Sequence, residues 1–320
     1  MRRESAMAKT ARSAAHRGFP TDFLTVDALS PAQLTRVLAT AAKGKQNRRF
    51  AARALAGTST VMLFEKPSLR TRVSFEVGIT RLGGHALFYD HSKERIGDRE
   101  SAPDYGRNLE RFCDLIVARV YEQRVLQQLA ANCEIPVINA LSNEHHPCQA
   151  LADVLTITEH LGGVAGRAVA YVGDGNNVAL SLAQAVVMLG GHMVVVTPRG
   201  YALGGEDASA VRGLVQGKGS FTATTDLDAL SGVDVIYTDA WVSMHHEDAA
   251  KRLKAFKPYQ VNSAMMAKAG GAIFMHCLPS ERGVEVTADV IDGPASVVFD
   301  QAENRLHAQN AIILHLMGKA

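Results

Sequence analysis

Basic and hydroxyl side chains crowd one short segment of the sequence, which reads EKPSLRTR. Its cations are Lys66, Arg70 and Arg72, and its hydroxyl groups belong to Ser68 and Thr71. An apolar run precedes the segment and a helical pattern follows it, so these side chains are predicted to surround a helix N-terminus. The unpaired N–H groups of a helix start, together with arginine forks, favour a phosphate-sized anion. The alternative is a capped, solvated helix start whose arginines pair with Glu65 or Glu76.

Further polar motifs follow other apolar runs, where strands are predicted to end. In chain order they read HPCQALAD from His146, GDGNN from Gly173, DAWVSM from Asp239, HCLP from His276 and AENR from Ala302. Ligands of open α/β sheets bind outside the carboxyl ends of the strands, so these motifs are candidates for binding residues. FEKPSLRTRVSFE resembles the carbamoyl-phosphate signature Ser-Thr-Arg-Thr-Arg. With it, the motifs resemble the aspartate/ornithine carbamoyltransferase family from about Phe23 to about Met317.

The resemblance implies an enzyme that transfers the carbamoyl group of carbamoyl phosphate to the side-chain amine of L-ornithine. The products would be L-citrulline and phosphate, in arginine metabolism. HCLP and DAWVSM favour the ornithine branch of the family over the aspartate branch. The resemblance also implies a homotrimer, or a larger assembly of trimers, with sites shared between subunits. It implies no metal and no organic cofactor.

The same resemblance assigns roles position by position. The carbamoyl-phosphate site would comprise Ser68, Leu69, Arg70, Thr71, Arg95, Arg119, His146, Gln149, Cys277, Leu278 and Arg305. The ornithine site would comprise Asn177, Asp239, Ser243 and Met244. The catalytic residues among them would be Arg70, Arg119, His146, Asp239 and Cys277.

The chemistry of the reaction agrees with these roles. The ornithine side-chain amine resembles that of lysine, whose pKa is about 10.4, so it must lose a proton before it attacks. Asp239 can bind the ammonium group, and Cys277 can help to accept or relay the proton. Charge then develops on the carbamoyl oxygen and the departing phosphate. Fixed donors such as Arg70, Arg119 and His146 would stabilise that charge.

Three positions depart from the family pattern. Leu69 replaces the usual threonine, as in relatives that carbamoylate N-acetyl- or N-succinylornithine. Arg95 stands where Gln or His is more common, in a loop that reaches the neighbouring subunit's site in the family; its alternative is pairing with Glu94 or Asp98. His245 stands where glycine is usual, so closing of that loop can differ. A carbamoyltransferase for an acylated ornithine or putrescine is thus an alternative, as is a catalytically silent trimer that binds carbamoyl phosphate.

Residue spacing disfavours two other kinds of site. The pairs His145-His146 and His245-His246 lack a metal-ligand spacing such as HExxH. GDGNN resembles part of a dinucleotide fingerprint, but Val178 stands in place of its third glycine. No acidic residue ends the next predicted strand to hold a ribose. The sequence therefore predicts neither metal catalysis nor a dehydrogenase.

The elements that position these motifs alternate between short β-branched runs and longer helical patterns, which predicts an α/β fold. The first half contains candidate strands STVMLF, HALFYD, LIVAR and PVINAL, with helices around 70–82, 101–112, 122–131 and 147–161. The second half contains AVAYVGD, HMVVVTP, FTATT, VDVIYTD, AIFMHCL and SVVFD, then a last helix that starts near Asn304.

We predict two doubly wound parallel-sheet domains with the active site in the cleft between them. The predicted divisions are a flexible N-terminal extension (1–22), a carbamoyl-phosphate-binding domain (23–152), an ornithine-binding domain (153–300) and a C-terminal helix (301–320) that returns to the first domain.

The composition limits the partners and the compartment. The chain has 320 residues, 47% hydrophobic and 21% charged, with a formal net charge of +2. The hydrophobic content excludes a disordered chain. The small net charge gives no sign of the overall basicity that is typical of proteins that bind nucleic acids or membranes. No apolar run reaches the roughly 18 residues of a membrane span, so a soluble protein is predicted.

Two further features bear on location. The four cysteines are far apart, which fits a reducing compartment. The N-terminal segment is rich in Arg, Ala and Ser and lacks the apolar region of a secretory signal. A cytoplasmic location is predicted, or the mitochondrial matrix if residues 1–20 are a transit segment.

Overall fold

The computed structural model describes residues 18–242 and 248–320. The chain divides into two compact units. The first contains the described residues up to Ala152 together with Arg305–Ala320, and the second is Asp153–Asn304. The predicted site residues Ser243 and Met244 lie outside the described residues.

A parallel sheet forms the centre of the first unit. Its strands, among the described residues, are β1 (Ser59–Phe64), β2 (His85–Asp90), β3 (Leu115–Arg119) and β4 (Val137–Leu141). They lie in the order β2-β1-β3-β4, and each neighbouring pair is parallel. The helices are α1 (Pro31–Gln46), α2 (Leu69–Arg81), α3 (Ala102–Leu109), α4 (Gln123–Ala131) and the first part of α5 (Pro147–Leu161). A 3-10 turn spans Val26–Ala28.

The second unit is built on another parallel sheet. Its strands are β5 (Ala168–Val172), β6 (His192–Val196), β7 (Ser220–Thr224), β8 (Val235–Thr238) and β9 (Ile273–His276), in the order β7-β6-β5-β8-β9. Its helices are α6 (Asn177–Met188), α7 (Gly205–Gly213), α8 (Ala249–Phe256), α9 (Ser263–Ala269), α10 (Ala288–Ile291) and the first part of α11 (Val298–Leu316). Short 3-10 turns span Leu227–Leu230 and Lys257–Tyr259. The predicted pair of parallel α/β sheets is therefore confirmed.

Burial explains which apolar runs form the inner strands. In β1, every residue after Ser59 is buried, whereas the edge strand β2 is mostly exposed. A parallel strand covered by helices on both faces needs a continuous apolar run, and STVMLF provides one. Separate apolar clusters then fill each unit, one around Ile116 and Leu126 and the other around Ile236 and Phe274.

Two local sequence signals define helix ends in the first unit and at the boundary that follows α5. Ser101 caps α3 by accepting a hydrogen bond from the backbone N–H of Asp104 at 3.3 Å. Helix α5 ends at Leu161, and Gly162 follows it with a φ of +78°. Glycine adopts that left-handed conformation without a Cβ penalty, which stops the helix there.

The prediction of a strand over SVVFD is wrong. Ser296 makes only an isolated bridge to Phe274, and α11 begins two residues later at Val298. The sequence hides this early start because Gln301 and Asn304 are polar yet fully buried. Their side chains donate to Asp153 at 2.7 Å and to Thr156 at 2.9 Å, so both polar groups are satisfied inside the unit.

Within residues 18–242 and 248–320, no helix combines the length and the apolar character that crossing a membrane requires.

Candidate active site

The first unit gathers basic and hydroxyl side chains at the carboxyl ends of three adjacent strands. Lys66 and Ser68 follow β1, Arg119 is the last residue of β3, and His146 lies beyond the end of β4. Because β1, β3 and β4 are neighbours in a parallel sheet, their carboxyl ends share one edge. That edge, at the point where the strand order reverses, is where open α/β sheets bind ligands.

The start of α2 is arranged as a capped anion-binding terminus. Ser68 is the N-cap residue, and its hydroxyl accepts from the N–H of Thr71 at 3.3 Å. Leu69, the first helical residue, is 75% exposed, so its side chain contributes no packing that would anchor the segment. Arg72 instead pairs with Glu76 at 3.2 Å and lies over Phe88. The alternative interpretation of paired arginines therefore holds for Arg72.

A buried hydrogen-bonded group joins three of the predicted residues. Arg305 is 4% exposed and donates from Nη1 to Gln149 Oε1 at 2.7 Å and from Nη2 to Thr71 Oγ1 at 3.3 Å. The sequence placed Arg305 at a helix start, but it lies in the third turn of α11. A cation at a helix start is unfavourable because the helix dipole is positive there, and the interior position of Arg305 avoids that interaction.

His146 is held as a neutral imidazole. It is 5% exposed, and burial, followed by the charges of Arg305 and Arg119, holds its pKa well below the usual range. A neutral ring has one N–H donor and no charge. His146 can therefore donate a hydrogen bond to a carbonyl oxygen at neutral pH, but it does not carry a proton for general acid catalysis there.

Lys66 is a site residue to which the resemblance assigned no role. It is 6% exposed, and its Nζ donates to Asn143 Oδ1 and lies 4.4 Å from the ring centre of Tyr121. Burial and the charge of Arg119 lower its pKa to about 8. Its position directly after β1 was the available signal, because residues at that point face the sheet edge that binds ligands.

Arg95 lies against the same aromatic ring. Its guanidinium is 4.1 Å from the ring centre of Tyr121, and its backbone N–H donates to Asp98 Oδ2 at 2.9 Å. The backbone N–H groups of Ile96 and Tyr121 donate to opposite oxygens of the buried Glu65, at 3.0 and 2.8 Å. The loop that carries Arg95 is thus tied to the strand ends of its own subunit.

The second unit brings different groups to its strand ends. Asn176 follows β5, Asp239 follows β8 and Cys277 follows β9. These three strands are neighbours in the order β5-β8-β9, so their carboxyl ends also share one edge. Asn177, a predicted ornithine-binding residue, is the first residue of α6 beside Asn176.

Asp239 and Cys277, both predicted catalytic residues, are in direct contact. The thiol of Cys277 donates to Asp239 Oδ1 at 2.9 Å, and the amide of Asn176 donates to Asp239 Oδ2 at 3.1 Å. The sequence did not identify Asn176 as a site residue. Its position between the end of β5 and the start of α6 indicates a site residue, but Asn177 occupies the same region. The tertiary structure is needed to show that the side chain of Asn176 contacts Asp239.

Leu278 has an unusual backbone conformation that His276 stabilises. Its φ of +58° is in the left-handed region, which is strained for a leucine. The N–H of Leu278 donates to His276 Nδ1 at 2.8 Å, and the other ring nitrogen of His276 is 3.2 Å from Glu285 Oε1. This buried pair fixes the backbone at the predicted position of carbamoyl contact.

Asp239, His276 and Cys277 also offer one ligand atom each within 4.8 Å of one another, so the group could hold a metal ion. Both ring nitrogens of His276 already have hydrogen-bond partners. A metal would have to displace one of them. The arrangement therefore favours hydrogen bonding over metal coordination, and the absence of a metal stays a prediction.

Comparisons with known proteins agree with this geometry. Residues 21–159 match the family model described as aspartate/ornithine carbamoyltransferase, carbamoyl-P binding domain. Residues 165–316 match the model of the Asp/Orn binding domain of the same family.

Individual relatives align along nearly the whole chain. It is 48% identical over 296 residues to the ornithine carbamoyltransferase of Shewanella oneidensis, covering 92% of this chain and 98% of that protein. It is 49% identical over 280 residues to the ornithine carbamoyltransferase of Methanobrevibacter smithii, covering 86% and 93%. The solved ornithine carbamoyltransferase from Pyrococcus furiosus superposes with a TM-score of 0.90 at 45% identity, covering 93% and 97%. This chain belongs to the aspartate/ornithine carbamoyltransferase family.

Proposed function

We propose that this protein transfers the carbamoyl group of carbamoyl phosphate to the side-chain amine of L-ornithine, giving L-citrulline and phosphate. The ammonium group loses one proton to the protein, and its nitrogen bonds to the carbamoyl carbon. The C–O bond then breaks as phosphate leaves with the electron pair and takes up the second proton that the nitrogen loses. The observation that carries the proposal is that the two units place side chains of different charge at the carboxyl ends of their strands. Buried cations suit a phosphate dianion, and the Asp239–Cys277 pair suits an amine.

The first unit, the described residues up to Ala152 together with Arg305–Ala320, would bind carbamoyl phosphate. Ser68, Leu69, Arg70 and Thr71 would contact the phosphate through side chains and N–H groups of the first turn of α2. Arg119 and Arg95 would add positive charge. The remaining members of this site, which would contact the carbamoyl group, are His146, Gln149, Arg305, Cys277 and Leu278.

Gln149 and Arg305 are already oriented toward one another by a 2.7 Å hydrogen bond. Neutral His146 would donate to the carbamoyl oxygen as that oxygen gains negative charge. A donor that is fixed before the reaction stabilises developing charge without reorganisation, which is typically worth about 3 kcal/mol.

The second unit, Asp153–Asn304, would bind ornithine. Asp239 would take the ammonium group, and Asn177, Ser243 and Met244 would orient the amino acid. The contact between the Cys277 thiol and Asp239 supports a role for both in receiving the proton that the amine must lose before attack.

We also propose a homotrimer, or a larger assembly of trimers. An apolar face on the first unit supports packing between subunits: Leu69, Val73 and Val77 are 75%, 48% and 38% exposed. They repeat every fourth residue along one side of α2. Such a face is typical of an interface.

Two properties complete the proposal. The enzyme needs no metal or organic cofactor, because no atom changes its oxidation state in the reaction and the side chains supply the charge stabilisation. Its location is the cytoplasm, or the mitochondrial matrix if residues 1–20 direct it there. None of the four cysteines, all of which lie in the described part of the chain, is in a disulfide, which supports a reducing compartment.

The proposed reaction is tested by measuring product formation from carbamoyl phosphate with L-ornithine, N-acetyl-L-ornithine, N-succinyl-L-ornithine and putrescine side by side. A strong preference for L-ornithine is expected. A reaction without enzyme corrects for spontaneous carbamoylation of amines. Preference for an acylated substrate would contradict the ornithine assignment and leave the carbamoyl-phosphate site standing, and no product from any amine would contradict the whole proposal.

Sharing of sites between subunits is tested by complementation. Arg95→Ala and Arg70→Ala proteins are each expected to be nearly inactive, and mixed trimers are expected to regain activity if Arg95 acts on a neighbouring subunit. Because Arg95 lies over Tyr121 of its own chain, lack of rescue in verified mixed trimers would show that it acts within its own subunit.

A further inference from the structure

Asn176 occupies the centre of a hydrogen-bonded chain in the second unit. It is the N-cap residue of α6, and its Oδ1 accepts from the backbone N–H groups of Val178 at 3.0 Å and Ala179 at 3.1 Å. The same oxygen is 3.2 Å from the hydroxyl of Tyr171, which donates to it. Three donors therefore converge on one side of this amide.

Those donors fix which way the amide points. Turning the amide over would place its NH2 group against two backbone N–H groups and a hydroxyl, which would leave donors facing donors. The Nδ2 group is therefore directed away from the helix, and it donates to Asp239 Oδ2 at 3.1 Å. Helix capping thus determines the direction of a hydrogen bond to a carboxylate.

Asp239 is held from its other side as well. Its Oδ1 accepts from the backbone N–H of Ala240 at 2.8 Å and from the thiol of Cys277 at 2.9 Å. Donors on both oxygens fix the plane of the carboxylate. Asp239 is only partly buried, so part of the residue is accessible to a ligand.

We propose that Asn176 is a positioning residue for amine binding, which holds the Asp239 carboxylate in the orientation that receives the ammonium group of ornithine. This inference rests on the proposed function and adds to it a residue outside the substrate contacts. Asn176 acts through Asp239 and touches no substrate.

The side chain required at this position is an amide. It must accept from the start of α6 and donate to Asp239 at the same time, and asparagine has both groups at the necessary length. Aspartate can accept but cannot donate, and serine is too short to reach from the helix cap to Asp239. Burial, followed by the charge of Asp239, raises the pKa of Tyr171 well above its usual value, so its hydroxyl stays protonated as a donor to Asn176.

The test compares Asn176→Asp with a matched substitution at another helix start. Aspartate caps a helix as well as asparagine, so this variant keeps the cap, removes the donor to Asp239 and adds a negative charge beside it. Asn262 caps α9 by accepting from the N–H of Met265 at 3.1 Å, and Asn262→Asp makes the same chemical change there. KM for ornithine, KM for carbamoyl phosphate, kcat and thermal midpoint are measured for both variants.

For Asn176→Asp we expect KM for ornithine to rise at least about tenfold, because a hydrogen bond to a charged group is lost and a second carboxylate faces Asp239. KM for carbamoyl phosphate is expected to change less than about twofold, and the thermal midpoint less than about 3 °C. Asn262→Asp is expected to leave all four quantities near the values of the unmodified protein.

Asn176→Ser provides a second route, because serine also caps helices and adds no charge. It is expected to weaken ornithine use without weakening carbamoyl-phosphate use. Unchanged ornithine kinetics in either folded variant would overturn the inference, and so would an equal loss toward both substrates. Failure of the unmodified protein to use ornithine would refute the proposed function, a result separate from an active protein whose variants behave normally.

Discussion

The two units use the same geometry for opposite charges. In the first, the carboxyl ends of β1, β3 and β4 bring together Lys66, Arg119 and His146. In the second, the carboxyl ends of β5, β8 and β9 bring together an amide, a carboxylate and a thiol. Each set lies beside the point where the strand order reverses, as expected for open α/β sheets.

The difference lies in how each set is stabilised. In the first unit, burial and then the neighbouring positive charges lower the pKa of Lys66 to about 8 and that of His146 well below its usual range. In the second unit, protein donors satisfy the carboxylate of Asp239 from both sides. A bound phosphate dianion would therefore stabilise the positive charges of the first set. In the second set, the orientation of the carboxylate is already fixed by protein donors before a ligand binds.

The largest effect is expected for Arg70→Ala. Arg70 is in the first turn of α2, where the helix dipole disfavours a cation unless an anion is present. Activity is expected to fall about 100- to 1000-fold, with the fold intact, because a donor to the developing charge is lost. Steady-state kinetics and circular dichroism measure the two quantities.

Arg81→Ala is the matched control for Arg70→Ala. Arg81 lies in the last turn of the same helix, where a cation is favourable, and far along the helix from its capped start. Less than about a twofold change in kcat/KM is expected, since a surface charge is worth little. Near-normal turnover of Arg70→Ala would refute the phosphate-binding assignment and with it the contrast between the units.

Lys66 should make carbamoyl-phosphate binding depend on pH. Its pKa of about 8 is below the usual lysine value, so the ammonium loses its proton as the pH rises through 8. Affinity for carbamoyl phosphate or inorganic phosphate is expected to be highest below that pH and to fall above it, about tenfold for a lost charged contact. Binding measured from pH 7 to pH 9.5 checks this.

Lys66→Arg is the matched variant, because a guanidinium keeps its charge over this range. Its phosphate affinity is expected to vary less with pH than that of the unmodified protein. A decrease above pH 8 of equal size in both proteins would mean that Lys66 is not the group responsible.

The smallest effect is expected for Cys277→Ala in the second unit. It removes one of the donors to Asp239 and leaves Asn176 and Ala240 in place. A thiol is a weak donor, so its hydrogen bond contributes about 1 kcal/mol, and a rise of about fivefold in KM for ornithine is expected. Cys277→Ser, which keeps a donor, should restore most of the affinity.

Cys148 serves as the comparison for the Cys277 variants. It is fully buried, donates to the carbonyl of Asn139 at 3.4 Å, and burial raises its pKa to about 12. Such a thiol is inert. Cys148→Ala is therefore expected to leave KM for ornithine unchanged, and an equal rise in both variants would remove the special role of the Cys277–Asp239 contact.

Local sequence patterns determined most of the fold and much of the candidate site. Apolar runs such as STVMLF specify buried strands, and Ser68 specifies the start of α2, because strand burial and helix capping depend on neighbouring residues. The motifs identified Asp239, Cys277, Gln149 and Arg305, and hydrogen bonds connect Asp239 with Cys277 and Gln149 with Arg305.

Tertiary structure alone decided the start of α11 and the roles of Asn176 and Lys66. Gln301 and Asn304 look like surface residues in the sequence, but partners more than 140 positions away satisfy them in the interior. Asn176 and Asn177 are adjacent and chemically identical, and the fold brings the amide of Asn176 to Asp239, 63 positions later. The pKa of Lys66 is likewise lowered by burial and then by the charge of Arg119 from another strand. Hydrogen bonding and electrostatics act through space, so these features depend on which distant residues the sheets bring together.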